Sequence, residues 1–274
     1  MNTIERNRYT ETWRAFGAAV ERPRALLVIS AHWYTNVTAV TAMARPRVIH
    51  DFFGFPDELF AFDYPAPGMP EVAEEVVEVA KPRWVGLDHD SWGLDHGTWS
   101  VLAHMFPEAD VPVVQLSIDA SKPLDYHFDL ATRLAPLRER GVMILGSGNV
   151  VHNLGAMNLR HLDEGEVWAQ RFDSAARELM TSDPGEILAL EGHSDFALAA
   201  PTPDHFIPLL YLAGLSAIAG RTPEVLVDGY MAGSLSMISY VLDGPVPVVP
   251  ASGVGVSEAD LPPAAAIPPE DTNI

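Results

Sequence analysis

Six short apolar runs, each rich in β-branched residues, alternate along this chain with longer segments of helical periodicity. Runs of this kind are typical of strands that are buried on both faces in an α/β sheet. The predicted strands cover residues 25–30, 37–43, 112–118, 142–145, 224–227 and 235–242. The predicted helices, several of which open with a proline or a capping residue, cover residues 8–20, 69–80, 98–105, 123–140, 164–181 and 204–213. The alternation predicts an α/β fold in which helices cover both faces of a sheet.

A single domain accounts for most of the chain. Its 274 residues, of which 48% are hydrophobic, are enough to bury one sizeable core. From residue 244 onward the sequence becomes rich in Pro, Ala, Gly and acidic residues and loses its periodicity. We therefore expect one domain over residues 1–243 and a disordered tail over residues 244–274. An α/β sheet normally opens with a strand, whereas this chain opens with a polar stretch and a helix, so we expect a segment in front to be missing.

The charge of the chain limits its partners. With 37 acidic and 17 basic residues, the formal net charge is −20, which repels phosphate backbones and anionic lipid surfaces. Nucleic acid and membranes are therefore poor partners. No apolar run reaches the roughly 20 residues that a bilayer requires, and the N-terminus has no apolar signal-peptide core. These observations predict a cytoplasmic protein.

The inventory of reactive groups narrows the chemistry further. The chain contains no cysteine, which excludes disulfides, thiolate metal sites and a cysteine nucleophile. Any transition-metal site must therefore use His, Asp and Glu. Neither Gly-Ser segment has the glycine spacing of a nucleophile elbow, and no Gly-rich loop ends in Lys-Ser or Lys-Thr. Serine-hydrolase and nucleotide-binding functions are not supported.

Four of the ten histidines stand out, because they lie at the ends of predicted strands or in Gly-rich turns. His32 directly follows the first predicted strand. His205 ends the segment Pro-Thr-Pro-Asp-His, in which Asp204 is predicted to cap the following helix. Taken alone, each of these two is more simply explained as a packing histidine.

The other two histidines lie in segments that are costly to keep for packing alone. His96 occupies a turn dense in Gly and Trp, and His152 follows a predicted core strand after glycines that allow close approach to a ligand. For both histidines, a functional role and a purely structural role remain equally open. The remaining histidines are assigned to the surface or to packing: His50, His89, His104, His127, His161 and His193.

Eight short motifs carry a family resemblance. They are Ser-Ala-His-Trp at 30–33, Ile-His-Asp-Phe at 49–52, Gly-Phe-Pro at 54–56, Tyr-Pro-Ala-Pro-Gly at 64–68, Leu-Asp-His-Gly at 94–97, Val-Gln-Leu-Ser at 114–117, Gly-Asn-Val-Val-His-Asn at 148–153 and Pro-Thr-Pro-Asp-His at 201–205. Each motif alone is weak, but the ordered set closely resembles the class III extradiol ring-cleavage dioxygenases of the 4,5-DOPA dioxygenase type. The resemblance spans roughly residues 1–242 and implies a single α/β domain with a central mixed sheet.

The resemblance also implies a site. His32 and His205 resemble metal ligands, His152 resembles the acid/base histidine, and His96 resembles a second histidine that contacts substrate or dioxygen. Tyr64 and Pro65 would line the substrate entrance, although a packing role explains them at least as well.

One divalent metal ion is implied, with Fe(II) for ring cleavage and Zn(II) in some members as isolated. A small aromatic diol and O₂ would be the partners. A catechol chelates Fe(II) through both oxygens, and nitrogen and oxygen ligands leave positions open for substrate and O₂. Zinc, which cannot change its oxidation state, would serve oxygen activation poorly. Imidazole titrates in the range that a general base for catechol needs.

The chain departs from the family at its beginning. In the family a first strand ends in Gly-His-Gly-Ser-Pro, whose histidine is a metal ligand, and the next residue corresponds to Met1. We expect this strand and ligand to be missing because the true start lies upstream. The alternative is that the chain is a relative that has lost one of three ligands. In that case we expect a non-catalytic binding protein on the same scaffold. A zinc hydrolase is less well supported, because the chain has no His-Glu-x-x-His motif.

Overall fold

A five-stranded sheet forms the centre of the molecule, with the strand order β3-β2-β4-β1-β5. The computed structural model describes residues 3–249. β1 pairs in parallel with β4 and β5, while β2 pairs in parallel with β3 and antiparallel with β4. The sheet is therefore mixed, as predicted. Its strands are β1 (Ala25–Thr35), β2 (Ala39–Thr41), β3 (Gly86–Asp88), β4 (Val113–Asp119) and β5 (Val142–Ser147).

Helices follow most of the predicted segments, with shifted ends. The helices are α1 (Arg8–Ala19), α2 (Asp57–Phe60), α3 (Pro70–Ala80), α4 (His96–Met105), α5 (Leu124–Leu134), α6 (Pro136–Glu139), α7 (Val167–Ser182), α8 (Phe196–Ala199) and α9 (Ile207–Ala219). Short 3₁₀ segments occur at Leu154–Ala156 and Pro184–Gly192. The predicted helix over 123–140 divides at Pro136, which has no N–H to continue the hydrogen-bond ladder of α5.

The two faces of the sheet carry separate apolar clusters, because side chains alternate across a strand. Leu27 and Ile29 of β1 pack on one face with residues of α3, α5, α7 and α9. Leu26 and Val28 point to the other face, where α1 and α4 lie. The prediction of helices on both faces is confirmed.

Two small antiparallel ribbons complete the described part of the chain. β6 (Glu224–Val227) pairs with β9 (Ser239–Val241), and β7 (Tyr230–Met231) pairs with β8 (Leu235–Ser236). The predicted strand over 235–242 is therefore two strands. The hydrogen-bond partner changes between the two strands: Ser236 donates its N–H to the carbonyl of Val151, and Met237 donates its N–H to the carbonyl of Gly229.

A cavity of about 1100 Å³ runs along β5, at the edge of the five-stranded sheet, toward β9. It also reaches the residues that follow β5 and the beginning of α4. Among the described residues, no helix combines the length and apolarity needed to cross a bilayer. Most of the predicted tail over 244–274, from residue 250 onward, lies outside the described residues.

Candidate active site

Four histidines from distant parts of the chain meet at one end of this cavity. The ring centroids of His32 and His96 lie 3.9 Å apart, and those of His32 and His205 lie 5.2 Å apart. The ring of His152 stacks on that of His205 with centroids 3.5 Å apart and planes only 5° from parallel. All four line the cavity. The structure thus brings together the four histidines that the sequence singled out.

His32 lies within β1 and does not follow it, so the predicted end of the strand at residue 30 is wrong. β1 continues to Thr35, and its pairing with β4 shifts register between Ile29 and Tyr34. Such an irregularity bends a strand and re-aims its side chains. His32 falls in this stretch, with a side chain that is only 8% exposed.

His96 is the first residue of α4, two residues earlier than the predicted helix begins. The helix starts there because the Asp95 side chain accepts the N–H of Thr98, which caps the first turn. Gly97 then allows α4 to approach β1 closely. A Cβ at this position would lie 2.6 Å from Cδ2 of His32 and 2.5 Å from Oγ of Ser30.

The segment that leads to His152 contacts His205 through its backbone, and the rings of the two histidines stack. Asn149 donates its N–H to the carbonyl of His205 at 2.9 Å, and a Cβ on Gly148 would lie 2.4 Å from the same oxygen. The glycine therefore allows the two segments to meet, whereas the sequence had predicted close approach to a ligand. His152 is held further by its N–H, which donates to the carbonyl of Ala199 at 2.8 Å.

Asp204 does not cap a helix, contrary to the prediction. α9 begins at Ile207 with Phe206 before it and no side-chain cap. Oδ2 of Asp204 instead lies 2.5 Å from Nδ1 of His205. Both side chains are buried, and there the contact of the carboxylate with the imidazole stabilises it more than a contact with backbone N–H groups one turn away would.

Asp51 is a site residue that the sequence analysis did not single out. One of its oxygens lies 3.2 Å from Nδ1 of His32, and the other lies 3.0 Å from Nδ1 of His96. The second oxygen also accepts the backbone N–H of His96 at 3.0 Å. Its place in the Ile-His-Asp-Phe motif was the available signal, but no local spacing relates residue 51 to residues 32 and 96.

Burial and these carboxylates set the protonation of the cluster. Burial would raise the pKa of Asp51, but its contacts with His32 and His96 outweigh that effect and hold the pKa far below its usual value. Burial opposes protonation of His32, yet the Asp51 carboxylate raises the pKa of this imidazole. Burial and the charge of His32 lower the pKa of His96.

Burial and neighbouring charges also keep the stacked imidazoles of His152 and His205 neutral. Burial, together with the proximity of His205, holds the pKa of His152 well below its usual value. Burial and the charges of His32 and His96 do the same for the pKa of His205. Neutral imidazoles carry a free lone pair, which can bind a metal ion or accept a proton.

Tyr64 and Pro65, which were predicted to line the substrate entrance, are not among the described residues that line the cavity. Tyr64 packs in the core beside α4, where its hydroxyl donates to the carbonyl of Phe106 at 2.7 Å. A buried phenol needs such a partner, and this one directs the hydroxyl into the protein interior. The alternative packing role is the one that the structure supports for Tyr64.

Aromatic side chains form the wall of the cavity next to the histidines. Phe52 meets the ring of His96 edge-on with centroids 5.2 Å apart, and Trp92, which also lines the cavity, stacks on Trp33. Phe53, which is 64% exposed, stands on the loop that follows Asp51. A largely apolar wall beside a few converging polar groups suits a small aromatic ligand.

The polar atoms at this end of the cavity fit a divalent cation. Nδ1 of His32, Nδ1 of His96 and Oδ2 of Asp51 are buried without a hydrogen bond of good geometry. Donor atoms of these three residues lie within 4.8 Å of one another. Nitrogen and carboxylate donors of this kind suit transition metals.

Known proteins resemble this chain over nearly its whole described length. Residues 4–243 match the protein family described as the catalytic LigB subunit of aromatic ring-opening dioxygenase. The chain is 46% identical over 244 residues to a 4,5-DOPA dioxygenase extradiol of Escherichia coli K12, covering 87% of this chain and 89% of that protein. It is 35% identical to the protein of the same name from Beta vulgaris, with 85% and 87% covered.

A solved structure shows the same architecture. The crystal structure of an uncharacterized protein from Escherichia coli K12 matches with a TM-score of 0.75 and 40% sequence identity. The match covers 86% of this chain and 93% of that one.

Proposed function

Because the chain belongs to the LigB family of aromatic ring-opening dioxygenases and is an extradiol dioxygenase by that membership, we propose that it opens a DOPA-like catechol with one divalent metal ion. The observation that carries this proposal is the convergence of four histidines on one aromatic-walled cavity. The DOPA-like substrate is taken from the names of the relatives, and the apolar wall beside the histidines supports a planar ring.

We assign the metal ion to His32 and His205. Each imidazole has a carboxylate at Nδ1, Asp51 for the first and Asp204 for the second; His96 also has Asp51 at Nδ1, and its separate role is taken from the family resemblance. Metal-ligating histidines usually hold a carboxylate or carbonyl in this way, which directs Nε2 toward the ion. Fe(II) bound there would supply a redox centre that takes both catechol oxygens and O₂, whereas Zn(II) would occupy the site without that redox capacity.

Asp51 is the competing donor, because its carboxylate could itself be a ligand together with His32 and His96. Its two oxygens are already placed against two imidazoles, and one of them accepts the N–H of His96. We therefore assign Asp51 to orienting both rings.

The chain's own proton chemistry is assigned to His152 and His96. Catechol must lose protons to bind as an anion, and the neutral, buried imidazole of His152 is suited to accept one. His96 borders both the aromatic wall and Asp51, which supports its role as the group that returns a proton during ring opening.

The test is oxygen uptake by the purified protein with added Fe(II) and DOPA, alongside tyrosine, which lacks the second hydroxyl. We expect Fe(II)-dependent uptake with DOPA alone and, with ¹⁸O₂, both labelled atoms in a ring-opened product. A chelator should abolish the uptake. Uptake that does not require Fe(II), or no uptake with any catechol, would contradict the proposal.

A further inference from the structure

Asp95 is a fully buried carboxylate that does not line the cavity. One oxygen accepts the hydroxyl of Ser30 at 2.7 Å and the backbone N–H of Thr98 at 3.1 Å. The other accepts Nε1 of Trp92 at 3.3 Å and the amide of Gln115. Four donors are therefore committed to one side chain in the interior, where a buried charge is costly unless it is fully hydrogen-bonded.

The first connection leads to His32. Ser30 belongs to β1, and its hydroxyl, which donates to Asp95, also accepts the backbone N–H of His32 at 3.3 Å. This N–H lies in the irregular stretch of β1, where the regular pairing with β4 is interrupted. The contact between Asp95 and Ser30 therefore holds β1 in place at His32, where the regular pairing of β1 with β4 is interrupted.

The second connection leads to His96. As the cap of α4, Asp95 decides where that helix begins, and the first helical residue is His96. Ser147 of β5 donates its hydroxyl to the carbonyl of Gly97 at 2.6 Å, which holds the same turn against the sheet. Capping and this contact hold the start of α4 against Ser30 and His32 of β1.

Gln115, on the central strand β4, links Asp95 and the start of α4 to the sheet. Its side-chain oxygen accepts the hydroxyl of Thr98 at 2.8 Å, while its backbone N–H donates to the hydroxyl of Thr41 at 2.8 Å. Gln115 and Thr98 are fully buried. Asp95 thus lies at the junction of β1, β4 and α4, each of which carries or supports one of the site histidines.

We propose that Asp95 is a positioning residue that sets the separation between His32 and His96 through Ser30 and the start of α4. It touches neither the cavity nor the two imidazole rings through its hydrogen bonds. The consequence for turnover rests on the proposed function, whereas the consequence for ring geometry does not. The proposal predicts that kcat depends on Asp95 while KM for the catechol does not.

The experiment compares Asp95→Asn, Ser30→Ala and their double variant with the parent protein. In Asp95→Asn one acceptor oxygen becomes an NH₂ donor facing other donors. We expect kcat to fall about 10–100-fold in each single variant, the range for partners that orient metal ligands, with KM changed less than about 2-fold. The double variant should lose little more than one single variant, because both changes break the same connection.

Asp119→Asn is the matched control, because Asp119 is also a buried aspartate outside the cavity lining, but its side chain accepts its two hydrogen bonds from Ser121 and not from the segments of His32 and His96. It should leave kcat unchanged. Crystal structures of the variants provide a readout that does not need activity. We expect the His32–His96 centroid separation of 3.9 Å to change in Asp95→Asn and Ser30→Ala and to persist in Asp119→Asn.

Unchanged ring geometry and parental kcat in Asp95→Asn would overturn the proposal, as would additive losses in the double variant. If Asp95→Asn does not fold, Ser30→Ala decides alone, since a parental kcat and unchanged rings there would also overturn it. If the parent shows no ring cleavage, the proposed function fails, and the ring geometry still decides the role of Asp95.

Discussion

At the scale of single residues, His152 and His205 stack on each other as neutral imidazoles but are suited to different roles, proton exchange for the first and metal binding for the second. His205 has a carboxylate at Nδ1, whereas His152 is held mainly through its backbone. Within this pair, the carboxylate at Nδ1 makes His205 suited to bind a metal ion, and His152, which is held mainly through its backbone, is freer to exchange a proton.

Replacing His152 by Ala should therefore reduce turnover far more than metal content. The expected loss in kcat is about 10²–10⁴-fold, the usual range for a general acid or base. Metal analysis and oxygen uptake on the same preparation measure both quantities. His89→Gln, at an exposed histidine, is the control. A His152→Ala variant that binds iron normally and turns over at the parental rate would remove His152 from the mechanism.

Asp51 offers a second test at this scale. Asp51→Asn keeps the shape but weakens the contacts with Nδ1 of His32 and His96. We expect metal affinity to fall about 10–100-fold, as for other carboxylates that orient metal-binding histidines. Equilibrium dialysis against Zn(II) measures it, with the exposed Asp57→Asn as control. An affinity equal to that of the parent would show that Asp51 does not orient the ligands.

At the scale of elements, the approach of α4 to β1 depends on the absence of a side chain at residue 97. In Gly97→Ala the new Cβ would lie 2.5 Å from Oγ of Ser30 and 2.6 Å from Cδ2 of His32, so one of these must move. Overpacking of this kind typically costs about 1–3 kcal/mol. We expect a loss of that size in the free energy of unfolding by urea, together with reduced turnover.

Gly192→Ala is the matched control, because a Cβ there would meet nothing within 4 Å. It should leave both stability and turnover close to those of the parent. Equal stability of Gly97→Ala and the parent would mean that α4 and β1 can separate without cost, and that their contact does not constrain the site.

At the scale of the whole molecule, acid should destabilise the fold through His127, which is buried on α5 away from the four site histidines. Burial lowers its pKa from 6.5 to about 4, and its ring nitrogens contact the hydroxyl of Tyr211 and the carbonyl of Asp119. Because the folded-state pKa is below the unfolded one, the unfolded chain binds more protons between these two values. Stability is therefore complete above pH 6.5 and falls as pH drops toward 4.

Between pH 7 and pH 5 this histidine should cost about 2 kcal/mol of stability. Urea unfolding of the parent and His127→Gln at both pH values measures the effect, with His89→Gln as control. His127→Gln should be less stable at pH 7 but lose less on acidification. An identical pH dependence in parent and variant would show that His127 is not the group responsible.

The amino-acid pattern by itself determined the α/β class, the central strands near residues 25–30, 113–118 and 142–145, and the four histidines. These depend on side-chain periodicity and on residue types next to strands and glycines, which are local properties. The sequence did not reveal Asp51 as a partner of His32 and His96 or the contact between Asp204 and His205, and it left open whether Tyr64 packs in the core or lines the substrate entrance. Each of these depends on which distant segments meet in space.

Tertiary packing also decided the extension of β1 through His32, since a strand continues as long as its neighbours offer hydrogen bonds. The same pairing of β1 with β4 and β5, and the docking of α4 over their ends, brought the histidines within reach of one another. Local periodicity determines which faces of each element are buried. Only the long-range hydrogen bonds and close backbone contacts between elements decide which side chains share a site.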